Sequence, residues 1–292
     1  MIFKIFSFLI KPLVNTGIGN IPVIAYIYRF LIPYLIKNKS IDCGSFQMQV
    51  IAGKKISDVT TMFMLKGKYE PTTTNIFKTL LFPGDVVVDV GANVGYFSML
   101  ARSMVGVNGK VFAFEPEPNN LKSLHQNIRL NNFENVYPYP VALSSRKGIT
   151  EFYTSVDDSR HSLVKAKYHN STVTVTMDKL DNLGPFHINL LKVDTEGSEL
   201  EVLKGAEETI RKSPQINIIT EVSLEGTRSV NDLWDYLKSL GMCFFYVIDD
   251  SSETVVESTD PLQVLLACDN PGMYVNLLCS RNNLIKDILE FE

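Results

Sequence analysis

Apolar positions in this chain fall into short blocks separated by polar, glycine-containing turns, and the period inside the blocks switches between strand-like and helix-like. Val86–Val90 and the stretches 110–115, 188–193 and 216–222 are compact apolar runs, of the kind that fills a sheet covered on both faces. Between them, 96–102, 119–131, 200–212 and 230–240 carry helical spacing, the last with Gly241 as its C-terminal cap. Further strands are expected at 136–143, interrupted by Pro138 and Pro140, at 243–248 and at 275–279. This alternation predicts an α/β fold with a doubly wound, mostly parallel sheet. The polar stretch 144–182, with a β-prone segment at 172–177, departs from it and reads as an insertion or hairpin.

The beginning of the chain is organised differently. Residues 1–38 read as helical pieces broken around Gly17 and Gly19 and punctuated by Pro12, Pro22 and Pro33. Residues 46–51 alternate as a half-buried strand does, Gly53, Lys54 and Lys55 suit a turn, and 59–65 is the expected partner strand. Residues 68–71 then lead into a helix at 74–81. The expected division is an accessory region of helices and a β-hairpin, 1–66, and a main domain, 67–292.

Composition narrows the function. With 292 residues, 45% hydrophobic and 21% charged, the chain can bury a large core. A net charge of −4 argues against a general nucleic-acid binder. Residues 1–41 hold five basic side chains (Lys4, Lys11, Arg29, Lys37, Lys39) and no acid, leaving 23 basic against 32 acidic residues elsewhere. The longest charge-free stretch there, 12–28, contains two prolines, two glycines and two asparagines, a poor membrane span. Two readings stay open: helices docked on the main domain, or peripheral membrane contact through residues 1–40 at an anionic inner face. Cys43, Cys243, Cys268 and Cys279 are far apart and fit neither a zinc site nor a disulfide framework. Cys243 and Cys279 lie in apolar runs and are expected to be buried thiols, in keeping with a reducing cytoplasm.

Two clusters carry candidate chemistry. In the first, the strand Val86–Val90 runs into Gly91-Ala92-Asn93-Val94-Gly95 and a helix start. Asn93 stands where a dinucleotide fingerprint needs glycine for approach to a pyrophosphate, so a nicotinamide-dependent oxidoreductase is disfavoured. A nucleoside without phosphates, such as S-adenosylmethionine, remains compatible. Glu115 ends the next strand, 26 residues after Asp89, where a carboxylate can accept both ribose hydroxyls. Asp89 is expected to orient the glycine-loop amides, and Phe114 or Pro116 to cover a base.

The second cluster follows the strand at 188–193: Asp194, Glu196 and Glu199 around Gly197, with Glu221 at the end of the next strand. Such a group suits a general base, because clustered carboxylates raise one another's pKa. It could instead hold a divalent cation, or Glu196 and Glu199 could cap the following helix. The histidines do not cluster, and no metal ligand set is assigned. His161 is the one histidine of interest, as a substrate-loop residue.

With these residues in place, the chain resembles the FkbM-like family of SAM-dependent methyltransferases. The resemblance runs from about Tyr69 to Glu221. It rests on Gly67-Lys-Tyr-Glu-Pro71, Val87-Val-Asp-Val-Gly-Ala-Asn-Val-Gly-Tyr-Phe97, Val111-Phe-Ala-Phe-Glu-Pro116 and Leu191-Lys-Val-Asp-Thr-Glu-Gly-Ser-Glu199. It implies a class I, Rossmann-like sheet of seven strands whose last strand is antiparallel. It further implies a cofactor site of Asp89, Gly91, Ala92, Asn93, Gly95, Phe97, Glu115, Pro116 and Ala142. Candidate catalytic residues are Asp194, Glu196, Glu221 and Glu70. Thr195 stands where relatives often have an aliphatic residue. The implied activity is O-methylation of a hydroxyl on a sugar, glycan or small metabolite, with a non-catalytic SAM-fold protein as the alternative.

Overall fold

The structure, a computed structural model, describes residues 40–49, 51–52, 55–56, 67–155, 162–164, 169–183, 187–223, 230–267 and 274–284. The expected helices at 1–38, the strand at 59–65 and His161 lie outside the described residues.

Strands β1 (Ser40–Asp42) and β2 (Gln47–Gln49) form one hairpin, and β3 (Ile51–Ala52) and β4 (Lys55–Ile56) another. Helix α1 (Pro71–Leu80) precedes β5 (Val86–Val90), α2 (Tyr96–Val105), β6 (Lys110–Phe114), α3 (Pro118–Leu130) and β7 (Val136–Tyr139). Then come β8 (Val141–Leu143), β9 (Gly148–Ser155), β10 (His169–Asp178) and β11 (Leu190–Val193). Helices α4 (Glu199–Gly205) and α5 (Glu207–Lys212) lead to β12 (Asn217–Ser223), α6 (Val230–Ser239), β13 (Phe244–Asp249) and β14 (Thr254–Ser258). Helix α7 (Pro261–Ala267) and β15 (Tyr274–Ser280) complete the described elements.

The main sheet has the order β14-β13-β15-β12-β11-β5-β6-β7. Pairing is parallel from β12 through β7, and β15 runs antiparallel between β12 and β13. This is the doubly wound sheet the sequence predicts, with one strand more: β14 folds back on β13 as an edge hairpin. Alternation along the strands divides the core. Val88 and Val90 face Leu203, Leu233 and Trp234 on one side, whereas Val87 joins Phe77, Met99 and Leu124 on the other. Burying each such side chain contributes about 1.5–3 kcal/mol, which is why strands covered on both faces read as unbroken apolar runs.

Several expectations change. β2 pairs with β1, which precedes it, and its Met48 is buried in the main core. The strand expected at 136–143 is two strands: β7 edges the main sheet, while β8 pairs with β10 in a separate three-stranded sheet. Pro140 separates them, and proline interrupts a ladder because it lacks an N–H. The helix expected at 200–212 breaks at Ala206, beside Gly205, which packs so closely on the Ser144 carbonyl that a Cβ there would lie 2.0 Å from the oxygen. The polar stretch after β8 does form a hairpin, β9 with β10. Cys279 is buried as expected, but Cys243 is exposed, lying just before β13 rather than inside it. No helix among the described residues is long and apolar enough to cross a membrane.

Candidate active site

Parallel strands β5, β6 and β11 end together, and a solvent-open cleft lies over their carboxyl ends. The turn after β5 forms its floor. Gly91 and Ala92 both donate their N–H to the Phe114 carbonyl, at 3.0 Å each. Gly91 has φ +78°, and a Cβ on it would lie 1.8 Å from the Asp194 carbonyl oxygen, so glycine is required by both backbone and space. Asn93 adopts φ +52°, a conformation asparagine tolerates better than most residues, and its N–H points at Glu115.

Glu115 lines the cleft and is 4% exposed. Its Oε2 accepts the Asn93 N–H at 2.7 Å and its Oε1 accepts the Glu117 N–H at 2.8 Å. Each oxygen is thus fixed in place with a lone pair left for a ligand hydroxyl. Burial pushes its pKa up to about 8, against the opposing pull of those two N–H groups. Phe114, Pro116 and Asn120 continue this wall. Opposite stand Val141, Ala142 and Leu143 of β8, Phe152 of β9 and Leu163. These apolar walls suit a planar base. Phe152 and Leu163 come from the hairpin insertion, and its contribution to the cleft is not visible in the sequence pattern.

The far end of the cleft is acidic, formed by Asp194, Thr195 and Glu196. Glu196 has φ +55°, and Ser162 donates its hydroxyl to the Glu196 carbonyl at 2.7 Å. Glu199 is 2% exposed and closes the loop from inside, its Oε1 accepting from Thr195 N, Thr195 Oγ1 and Gly197 N. The Thr195 hydroxyl, absent from an aliphatic residue, therefore supports the loop. Glu221, on β12, is buried beside these groups, and its carboxyl pKa is raised by burial first and then by Asp194, Glu196 and Glu199.

Beneath lies a lysine that the candidate set omits. Lys192 is 2% exposed, donates to Asp194 Oδ2 at 2.7 Å, and sits 4.7 Å from the Phe97 ring centroid. It is register-paired with Asp89 across β11 and β5. Burial opposes its charge, but Asp194, Glu70 and Asp89 outweigh burial and hold it protonated. A lysine inside the apolar run Leu190–Val193 is the signal that could have found it. Glu70, buried at the start of α1 with φ +38°, has its pKa raised by burial to about 7 despite Lys192. The N–H groups of Thr72 and Thr73 donate to Asp250 Oδ1, at 2.7 and 3.0 Å, so α1 is capped by a residue remote in sequence.

Of the sequence-derived site, Gly91, Glu115, Pro116, Ala142, Asp194 and Glu196 line the cleft. Asp89, Ala92, Asn93, Gly95 and Phe97 lie behind it. Asp89 accepts from the Ser98 hydroxyl at 2.6 Å in the first turn of α2, and the glycine-loop amides bond to Phe114 instead; this replaces the orienting role expected for Asp89. Phe97 packs in an aromatic group with Tyr69, Phe77 and Tyr96. Gly95 has φ +94° and lies against Leu124.

Among the described residues the lining contains three carboxylates, Glu115, Asp194 and Glu196, and no lysine or arginine. Such a cleft repels phosphates and favours a nucleoside with a cationic tail. S-adenosylmethionine fits on each count: apolar walls for its base, Glu115 for its ribose, acidic surroundings for its sulfonium. Fold and site together define a doubly wound α/β protein with a small-molecule cleft at the carboxyl ends of its parallel strands. Residues 89–242 match the Methyltransferase FkbM domain, and the chain belongs to that family.

Among curated proteins, the chain is 28% identical over 152 residues to Methyltransferase 1 of Beauveria bassiana, covering 44% of this chain and 61% of that one. It is 34% identical over 123 residues to the hexuronic acid methyltransferase AglP of Haloferax volcanii, covering 41% and 49%. It is 26% identical over 175 residues to the 2-O-methyltransferase NoeI of Sinorhizobium fredii, covering 51% and 70%. The chain thus spans less than two thirds of the first two relatives. A solved FkbM methyltransferase from Methylobacillus flagellatus superposes with a TM-score of 0.45 at 15% identity, over 76% of this chain and 52% of that one.

Proposed function

We propose that this chain transfers a methyl group from S-adenosylmethionine to a hydroxyl of a sugar, glycan or small metabolite. The observation that carries the reading is Glu115, buried at the cleft wall with both oxygens aligned by backbone N–H groups and facing the ligand space. The names of two relatives, a hexuronic acid methyltransferase and a 2-O-methyltransferase, support a sugar acceptor.

When bound, the cofactor supplies an electrophilic methyl group on a sulfonium. The chain's own residues hold and align. Glu115 takes the ribose hydroxyls, Gly91 gives backbone access, and Ala142 and Pro116 pack the base. Asp89, Ala92, Asn93, Gly95 and Phe97 support this wall from behind. The acceptor oxygen is placed at the acidic end, where its proton must leave as the new C–O bond forms. Asp194 leads the candidates for base or substrate anchor, with Glu196, Glu221 and Glu70 beside it. Positioning alone can lower the barrier by about 7–11 kcal/mol, and a placed base adds about 10²–10⁴ in rate.

The basic residues 1–40 are proposed to pack on the catalytic domain and to bring it to an anionic cytoplasmic membrane face. Their composition supports this reading. The test of the activity is mass spectrometry of the purified chain with methyl-labelled S-adenosylmethionine and a panel of glycans, lipids and small metabolites from the source cell. A labelled methyl ether supports the reading. Cofactor binding with no methylated product across the panel favours the non-catalytic alternative.

A further inference from the structure

We propose that Asp194, Glu196 and Glu221 form a binding site for one hard divalent cation, Mg²⁺ or Mn²⁺, at the acidic end of the cleft. The site deepens the methyltransferase reading, since a cation there would orient an acceptor oxygen, but its existence does not depend on that reading.

The first observation is geometric. One carboxylate oxygen from each of the three residues lies within 4.8 Å of the others. A cation with bonds of about 2.0–2.1 Å sets its ligand oxygens roughly 3 Å apart when adjacent and 4 Å when opposite, within reach of small side-chain rotations. Glu221 lies on β12, and Asp194 and Glu196 lie in the loop that directly follows its parallel neighbour β11, so the strand pairing brings the loop beside Glu221.

The second observation is independent of the clustering. Glu221 is 8% exposed, and among the described residues no N–H or O–H donates to its carboxylate. A buried carboxylate without a donor is costly, and native structures rarely leave one. Glu199, equally deep, shows what satisfaction looks like here, with three donors on one oxygen. Glu221 instead has one oxygen within 4.8 Å of an oxygen of each of two other acids. Lys192, a neighbouring cation, has its ammonium on Asp194 at 2.7 Å. Among the described residues no cation reaches Glu221 directly, and two positive charges at the centre of the three oxygens would supply what its carboxylate lacks. Hard oxygen donors in this number suit Mg²⁺ or Mn²⁺, completed by water or by an acceptor hydroxyl, rather than zinc.

The experiment uses the full chain, stripped with chelator, and Mn²⁺ alone, followed by loss of the free-ion electron paramagnetic resonance signal. One Mn²⁺ per chain is expected to bind without cofactor or acceptor. Glu221→Gln, which keeps shape and loses charge, should weaken binding at least tenfold, and Asp194→Asn likewise. The exposed Glu257→Gln on β14 should leave it unchanged. Mn²⁺ should raise the melting temperature of the wild type and not of Glu221→Gln, a readout that also verifies folding. Absence of stoichiometric binding, or binding indifferent to Glu221→Gln in a folded variant, overturns the site. Chelator-insensitive methyl transfer would then still uphold the proposed activity, whereas Mn²⁺ binding without methyl transfer would uphold the site and sink the activity.

Discussion

Replacing Glu115 with alanine removes a carboxylate whose two oxygens are held by Asn93 and Glu117 N–H groups at 2.7 and 2.8 Å. Two ribose hydroxyls donating to it would make two charge-assisted bonds of about 1.5–3 kcal/mol each. Because burial raises its pKa to about 8, ionising it at pH 7 costs about 1.4 kcal/mol, which offsets part of that gain. The net loss on substitution is about 2–5 kcal/mol, roughly 30- to 5,000-fold in cofactor affinity. The same balance has a proton signature. Binding favours the charged form, so close to one proton should be released at pH 7, and affinity should rise with pH until about 8 and then level off. Isothermal titration in buffers of different ionisation enthalpy measures both. A cycle with a 3′-deoxyribose analogue isolates the contact: wild type should discriminate against it, and Glu115→Ala should not. A folded Glu115→Ala protein with unchanged affinity, or with undiminished discrimination, refutes the assignment.

Further expectations follow from the same geometry. Lys192→Met strips the buried cation from among Asp89, Glu70 and Asp194 and should cost about 3 kcal/mol in urea denaturation, the lower end for a broken buried pair because Asp194 is partly exposed; a loss below about 1 kcal/mol would contradict it. Gly91→Ala puts a Cβ 1.8 Å from the Asp194 carbonyl and should weaken cofactor binding at least tenfold, about 1.4 kcal/mol; unchanged binding would show that the turn adapts. Glu70 and Glu115 have folded pKa values raised from 4.5 to about 7 and about 8, so the unfolded chain sheds these protons first. Stability should therefore fall as pH rises from 4.5 through 8, and Glu70→Gln should flatten the lower part of that slope; thermal melts that rise with pH would refute it. Membrane-bound protein should be released by high salt if residues 1–40 act at an anionic surface, since screening weakens such contacts; retention until detergent is added would show insertion.

The parts of the fold legible in the sequence are those set by local pattern. Val86–Val90 and Leu190–Val193 are buried on both faces, so their apolar runs announce parallel central strands. Gly91 and Gly95 sit at positive φ, and that demand is visible in residue type alone. What stayed hidden depends on tertiary contacts. Pro140 marks a break, but nothing local says that β8 leaves for a second sheet. Strand β14 is short and largely exposed at an edge, so it lacks the apolar signature of the centre. The side-chain cap of α1 comes from Asp250, nearly two hundred residues away, and the side chain of Glu70, the local N-cap residue, makes no capping bond. Lys192 reads as an interruption of a strand until Asp89 and Asp194 are placed around it.

Among the described residues that line the cleft, none is a lysine or arginine, and under the proposed activity this bears on turnover as well as on recognition. In the chain without a bound divalent cation, the proposed cofactor would carry its sulfonium charge into walls formed by Glu115, Asp194 and Glu196. Methyl transfer leaves a neutral thioether in the same place, and the attraction at that atom vanishes with the charge. The spent cofactor keeps its ribose and base contacts but loses its electrostatic hold, so the walls favour exchange of product for fresh donor. Under the proposed activity, acidity at this position would hold the charged donor more tightly than the discharged product, with no moving part.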